Sequence, residues 1–323
     1  WNDTESAPFL SDRWGHYAKR LKQVSLLLLR LALTFLAVLL SYSLSTLVMG
    51  PADISMTAEE EAQAAQGLIR VSLAYAVVFS FLALRARWYG LKFIGGLFLV
   101  FFGVETFMAQ IETLYFNSAV QMEMDVFAGI VAAGAVRAAL CSVLVALIFS
   151  KLREPPNLAV ESGPALPPNW QLRFVALSVF YVLVYFLFGY FVAWKWEETR
   201  LYYSGTSTIK PFLTHFWDLL VVEDPIILPF QLLRGALWTA LAMLIVFMIE
   251  AKRWATALAV GLTFAVLLAV PLGSFPNPYM PPAVAQSHFY EVFSSMLLFG
   301  GVAGWVMYSP SIGRVTHSQS EVF

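Results

Sequence analysis

Eight runs of about twenty apolar residues leave this chain essentially one class of fold. A helix needs that length to cross ~30 Å of hydrocarbon. In lipid, every backbone N–H and C=O must also find its partner within the span or within a closed barrel. The runs lie near 23–49, 69–86, 91–114, 125–150, 172–194, 226–249, 254–273 and 289–308. None alternates apolar and polar residues as a barrel strand does. Only 13% of the 323 residues are charged, against about a quarter in soluble domains. The sequence therefore predicts an all-α integral membrane protein with eight transmembrane helices.

Charge placement predicts the orientation. Arg13, Lys19, Arg20 and Lys22 precede the first run, and Arg85, Arg87 and Lys92 separate the second from the third. Lys151, Arg153 and Arg173 flank the fourth-to-fifth connection, Lys252 and Arg253 the sixth-to-seventh, and Arg314 follows the eighth. With eight spans all of these fall on one side, which the positive-inside rule makes cytoplasmic. Asp53, Glu59, Glu60, Glu61, Glu123, Glu197, Glu198, Asp218, Glu223 and Asp224 fall on the other, where Lys195, Arg200 and Lys210 are the exceptions. Both termini are expected in the cytoplasm, in a multi-pass plasma (inner) membrane protein. No small-residue cleavage site follows the basic start, so the first span is expected to stay as an anchor. Trp14, Trp88, Trp170, Trp254 and Trp305 are expected at inner span ends, and Trp194, Trp196, Trp217 and Trp238 at or near outer ones.

The chain also reads as written twice. Asp125-Val126-Phe127 matches Glu291-Val292-Phe293 and Arg87-Trp88 matches Arg253-Trp254, both at an offset of 166. Each copy holds an even number of spans, so the predicted repeats are parallel. The expected layout is a cytoplasmic segment 1–22, a first four-helix repeat 23–151, a Pro-rich cytoplasmic linker 152–170, a second repeat 171–309 and a cytoplasmic tail 310–323. Thr57-Ala58-Glu59-Glu60 is a capping-box pattern, expected to start a short helix before span two. The apolar stretch from Lys210 to Asp224 reads either as an amphipathic helix in the outer interface or as a loop packed on the spans. Gly134 and Ala138 in span four, with Gly300 and Gly304 in span eight, suit close helix contact and suggest that these two spans meet.

Charges within the spans carry whatever chemistry the sequence offers, since each costs ~2.5–3.5 kcal/mol at the bilayer centre. The basic candidates are Arg30, Arg70, Arg137 and Arg234, and the acidic ones Glu105, Glu112, Asp125 and Glu291, with Glu250 at an inner end. At 1.5 Å per residue, Glu105 and Arg137 both lie about 16–18 Å below the outer surface on neighbouring antiparallel spans, and an ion pair is expected. Glu105, Ala109 and Glu112 share a face of a regular helix, beside Gln110 and Thr106. That polar stripe reads as a substrate, ion or proton pathway through Glu105, Gln110, Glu112 and Arg137, or as polar glue between helices. Arg70 with Asp125, and Arg234 with Glu291, are expected to form one structural charge pair per repeat. Span seven has Pro271 and Pro278 where the first copy has Glu105 and Glu112, and with Pro276, Pro281 and Pro282 these end the helix.

Cofactors are not expected. No histidine lies mid-span, and the single Cys141 excludes an internal disulfide and the cysteine-based metal motifs. His215 with Asp218 and His288 with Glu291 are weak metal candidates at i, i+3 spacing. A net charge of −1 gives no reason to expect nucleic acid. The expected partners are the lipid bilayer and possible membrane-protein subunits. No nucleophile or nucleotide motif indicates an enzyme. The leading expectation is a transporter or permeation protein with a buried Glu/Arg site in the first repeat. The alternatives are a non-catalytic subunit or scaffold of a larger membrane complex, and an enzyme acting on a lipid-linked substrate at the outer face.

Overall fold

A computed structural model describes residues 7–48, 57–154 and 166–309. Most of the Pro-rich linker, Asp53, and the tail with Arg314 lie outside these described residues. The described residues form helices with no strand, and eight helices are long and apolar enough to cross a membrane. Spans one to four are Lys19–Val48, Ala58–Arg85, Gly90–Tyr115 and Met124–Ile148. Spans five to eight are Trp170–Lys195, Ile227–Met248, Arg253–Leu272 and Pro282–Met307.

Local chemistry explains where they start. Span two begins at the predicted capping box: Glu60 N–H donates to Thr57 Oγ1 (3.2 Å) and Thr57 N–H to Glu60 Oε2 (2.8 Å). The expected short helix is the first part of span two itself, one continuous helix Ala58–Arg85. Span eight starts well before the position near 289 that hydropathy indicates. Pro282 occupies its first turn, where a missing N–H costs nothing. His288 therefore stands inside the helix rather than ahead of it, and Glu291 lies in its third turn rather than its first.

Span one packs on spans two and four, and span three on span four. Span five packs on spans six and eight, and span seven on span eight. Between these groups, span two meets span seven and span three meets span six. Tyr75, Phe79 and Phe101 interlock at 4.9–5.8 Å in the first group, and in the second Phe264 lies 4.8 Å from Trp238 and 6.4 Å from Phe299. Trp238 is fully buried against Phe264, so it belongs to the core and not to the outer interface.

Spans four and eight share no extended contact, contrary to the expectation from their small residues. Each small-residue face is filled by the preceding span. A Cβ on Gly300 or Gly304 would stand 2.8–2.9 Å from the Cα of Gly261 or Ala257 in span seven, while Gly134 packs against the Thr106 side chain of span three. In lipid the gain from such contact is dispersion between close backbones.

Pro271 has a partner effect across the bundle. Without an N–H it leaves the carbonyl of Leu267 free, four residues earlier. The Tyr75 hydroxyl of span two donates to that oxygen at 2.7 Å. At the basic end, the chain leaving span two and the chain leaving span six pair as an antiparallel bridge, Ala86 with Ile249. Arg87 N–H donates to Met248 O (2.9 Å) and Glu250 N–H to Arg85 O (2.7 Å).

The 210–224 stretch is helical over Phe212–Asp218 and continues as a wide π turn over Leu219–Glu223. Phe216 packs on Phe186 of span five at 5.0 Å, while Leu213, Trp217, Val221 and Val222 are exposed. It is thus a packed helix whose outer face is apolar.

Candidate functional site: two carboxylate–arginine centres on span three

Span three is not a uniform α-helix. It runs as α over Gly90–Phe101, as π over Phe102–Phe107 and as α again over Met108–Tyr115. A π turn takes in an extra residue and rotates the helix beyond it by up to about 100°. The face shared by Glu105 and Glu112 in a regular helix is thereby split.

Glu105 turns into the first group of spans. Arg137 Nη2 of span four reaches both its carboxylate oxygens at 2.8 Å, as the depth argument expects. The Tyr42 hydroxyl of span one donates to Oε1 at 2.9 Å and Thr106 Oγ1 to Oε2 at 2.7 Å. The Arg137 guanidinium also lies over the Tyr42 ring, 4.2 Å from its centroid. Every oxygen has a donor, and the carboxylate side chain keeps only 7% of its surface. Arg137 Nε is the one buried atom of this centre with no hydrogen-bond partner among the described residues; a closed network whose carboxylate is fully satisfied specifies helix register well.

Glu112 turns to the other group. It binds Arg234 of span six through two parallel hydrogen bonds, Nη1 to Oε1 at 2.7 Å and Nη2 to Oε2 at 2.6 Å. This is the bidentate fork geometry that makes arginine–carboxylate pairs strong. Arg234 Nη1 also donates to Gln231 Oε1 at 3.0 Å, and its guanidinium sits 5.8–5.9 Å from the rings of Tyr181, Tyr185 and Phe230. Arg234 is only 2% exposed, while the Glu112 side chain keeps 33% of its surface. Two arms of span three thus hold one arginine in each group of spans.

The expected pair of Arg234 with Glu291 is not formed, because Glu112 takes the guanidinium. Glu291 instead accepts from His288 Nδ1 at 2.8 Å, and His288 Nε2 meets the Tyr203 hydroxyl at 3.1 Å. Burial keeps the Tyr203 phenol neutral far above its ordinary range, so it can donate to Nε2 while Nδ1–H donates to Glu291. Thr199 and Ser287 share a 2.7 Å hydroxyl contact that fixes the short helix Glu197–Ser204 on the start of span eight. The expected Arg70–Asp125 pair is also not formed. Arg70 is exposed and donates to Gln66, and Asp125 accepts its own helix's Val126 N–H. Both side chains are exposed, Arg70 midway along the helix Ala58–Arg85 and Asp125 in the first turn of span four, so neither depends on the other for a partner. Gln110 is half-buried, and its side-chain oxygen has no protein donor.

The weak metal candidates are separated. His215 packs on Trp194 with the rings tilted and 4.9 Å apart, and Asp218 pairs with Lys210 at 2.7 Å. Among the described residues no three histidine, cysteine or carboxylate ligands gather. His215, Asp218, His288 and Glu291, named together for an outer-face site, do not form one metal-binding group.

Tyr42 and Gln231 are members of these centres that charge and depth alone do not pick out. Both are polar residues in apolar spans, one turn or one helix away from an arginine, and that is the signal by which they could be found. No protein-family model, curated protein or solved structure matches this chain.

Proposed function

We propose that the chain is a duplicated eight-span transport or permeation protein, with both termini on its basic, cytoplasmic side. The duplication is supported by the packing: the contacts of span one with two and four, and of three with four, recur as five with six and eight, and seven with eight. The cross-contacts, two with seven and six with three, exchange under the same half-chain shift. The observation that carries the transport reading is the Glu112–Arg234 bridge. It joins the two repeats through a buried guanidinium, yet its carboxylate is one-third exposed. A pair in that position can open when one repeat rocks against the other, and its carboxylate can then exchange arginine for a proton or a solute cation. We assign this role to Glu112, with Glu105 and Arg137 as the closed anchor that keeps span three in register.

The test is proton flux into pyranine-loaded proteoliposomes under an imposed pH gradient. Wild-type vesicles should collapse the gradient faster than protein-free ones. Glu112→Gln, which keeps an oxygen for Arg234, should lose that flux while remaining monodisperse. Wild-type vesicles as tight as protein-free ones would remove proton permeation. The subunit or scaffold reading would then lead, favoured by span one. Its apolar window is only 22% buried and its Leu26–Leu29 stretch is exposed, as a partner helix would need.

A further inference from the structure

A second polar feature lies at the other end of the molecule, away from both arginine centres. Where spans two and six end and spans three and seven begin, there is an open cleft of about 630 Å³. Its lining carries Arg85, Arg87, Lys151 and Lys252 against a single carboxylate, Glu250. Among the described residues Arg85, Lys151 and Lys252 form no ion pair, with Glu250 or any other acid. Lys151 is the sharpest case. It is 9% exposed, its ammonium donates to Ala86 O at 2.6 Å, and it lies over the Tyr89 ring. Burial, helped by the nearby Arg30, holds its ammonium below the ordinary lysine range. A cation held there without a carboxylate is a standing demand for negative charge.

The backbone adds to that demand. Tyr89 and Lys252 line the cleft and are the N-cap residues of spans three and seven. Neither provides a side-chain cap; Gly90 N–H donates to Lys151 O at 2.7 Å, and beyond that bond both helices direct the positive ends of their dipoles to this place. The floor is rigid because the Ala86–Ile249 bridge ties both connections together. The cleft also sits where apolar spans end, the level of phospholipid headgroups, with Lys92 over the Trp88 ring beside it.

We propose that this cleft binds a phosphate-bearing anion, seated between the two span-three and span-seven N-termini and held by Arg85, Arg87, Lys151 and Lys252. The phosphate can come from an anionic lipid headgroup or from a soluble phosphate. Because its walls come from both groups of spans, an occupied cleft ties those groups together at the basic end.

The experiment uses the full chain purified in detergent, with native mass spectrometry and thermal unfolding as readouts. Phosphatidylglycerol, phosphatidylcholine and inorganic phosphate are added in separate arms. Retention of phosphatidylglycerol but not phosphatidylcholine identifies a headgroup; a thermal shift with inorganic phosphate identifies a soluble anion. In either case Arg85→Ala with Lys252→Ala should weaken binding about 30-fold, from roughly fivefold per cation. Glu250→Gln, which removes the one opposing charge, should strengthen it about fivefold, so the proposal stays testable if the double variant folds poorly. Lys19→Ala with Lys22→Ala makes the same charge change elsewhere at this end and should alter nothing. The proposal is overturned if neither phosphate source binds, if the cleft variants bind like wild type, or if the Lys19/Lys22 control loses binding equally.

Discussion

Glu105 and Glu112 stand on one helix and each holds an arginine, but the two centres are built to different ends. The Glu105 pair joins neighbouring spans three and four, and both partners are sealed, at 7% and 14% exposure. The Glu112 pair joins span three to span six, 122 residues apart in sequence, and only its arginine is sealed. The difference teaches that burial of a charge and burial of a charge pair are separate matters. What can move is the pair with one wet partner.

The largest test of this contrast is to remove one partner at a time. Arg137→Ala strands a sealed carboxylate and Glu112→Ala strands a sealed guanidinium. Each should cost about 3–5 kcal/mol, seen as lost folded yield and a lower midpoint of thermal unfolding. The first pair should be symmetric, with Glu105→Ala as damaging as Arg137→Ala. In the second pair Arg234→Met should cost only about 2 kcal/mol, since Glu112 can turn to water. Equal losses at Arg234 and Glu112 would break the comparison.

A geometric test comes next. Deleting Phe107 takes one residue out of the π turn and should return Glu112 toward the Glu105 face by about 100°. The Glu105–Arg137 pair should survive and the cross-group bridge should go. A cysteine pair replacing Glu112 and Arg234, bridged by a bifunctional thiol reagent as long as the two lost side chains, reads this directly: it should crosslink in the full-length background and not in the deletion. Crosslinking in both would mean the π turn does not set the phase.

The smallest expected effect lies in the 210–224 segment, which has no sealed pair at all. Burial against Trp194 holds the His215 imidazole below its ordinary range. Its folded pKa is depressed, so the unfolded segment binds more protons as pH falls through about 6.5, and the docked form weakens on the acid side. Amide exchange over 212–218 should therefore quicken from pH 7 to pH 5, and His215→Asn should flatten that dependence. The Lys210–Asp218 pair acts in the opposite window. It raises the lysine above its ordinary value, so its contribution is present at neutral pH and fades only in strong alkali. Acid-insensitive exchange in the wild type would show that His215 does not hold this segment.

Which parts of the molecule are legible in its sequence depends on which rules are local. Span positions are legible because hydropathy and length decide them, and the Glu105–Arg137 pair because rise per residue turns sequence distance into depth. The Glu112–Arg234 bridge is not legible. It depends on one wide turn after Phe101, and nothing in Phe102–Phe107 marks that turn in composition. Pro282 reads as a stop but is a start, since proline fits the first helical turn as well as the break before it. The small faces of spans four and eight are contact surfaces, as their composition implies, but sequence gives no partner to such a surface. Spans three and seven fill them.

The reach of the Glu112–Arg234 bridge has a consequence for biosynthesis. Arg137 lies 32 residues beyond Glu105, whereas Arg234 lies 122 beyond Glu112. At about 5–20 residues per second, Glu105 waits roughly 2–6 s for its arginine and Glu112 roughly 6–24 s. For most of that time the ribosome is still making spans four and five, and a carboxylate without a counter-ion sits near the top of span three. The nascent first half therefore has reason to keep that end of the helix close to the membrane surface, and to draw it inward only once span six has been delivered.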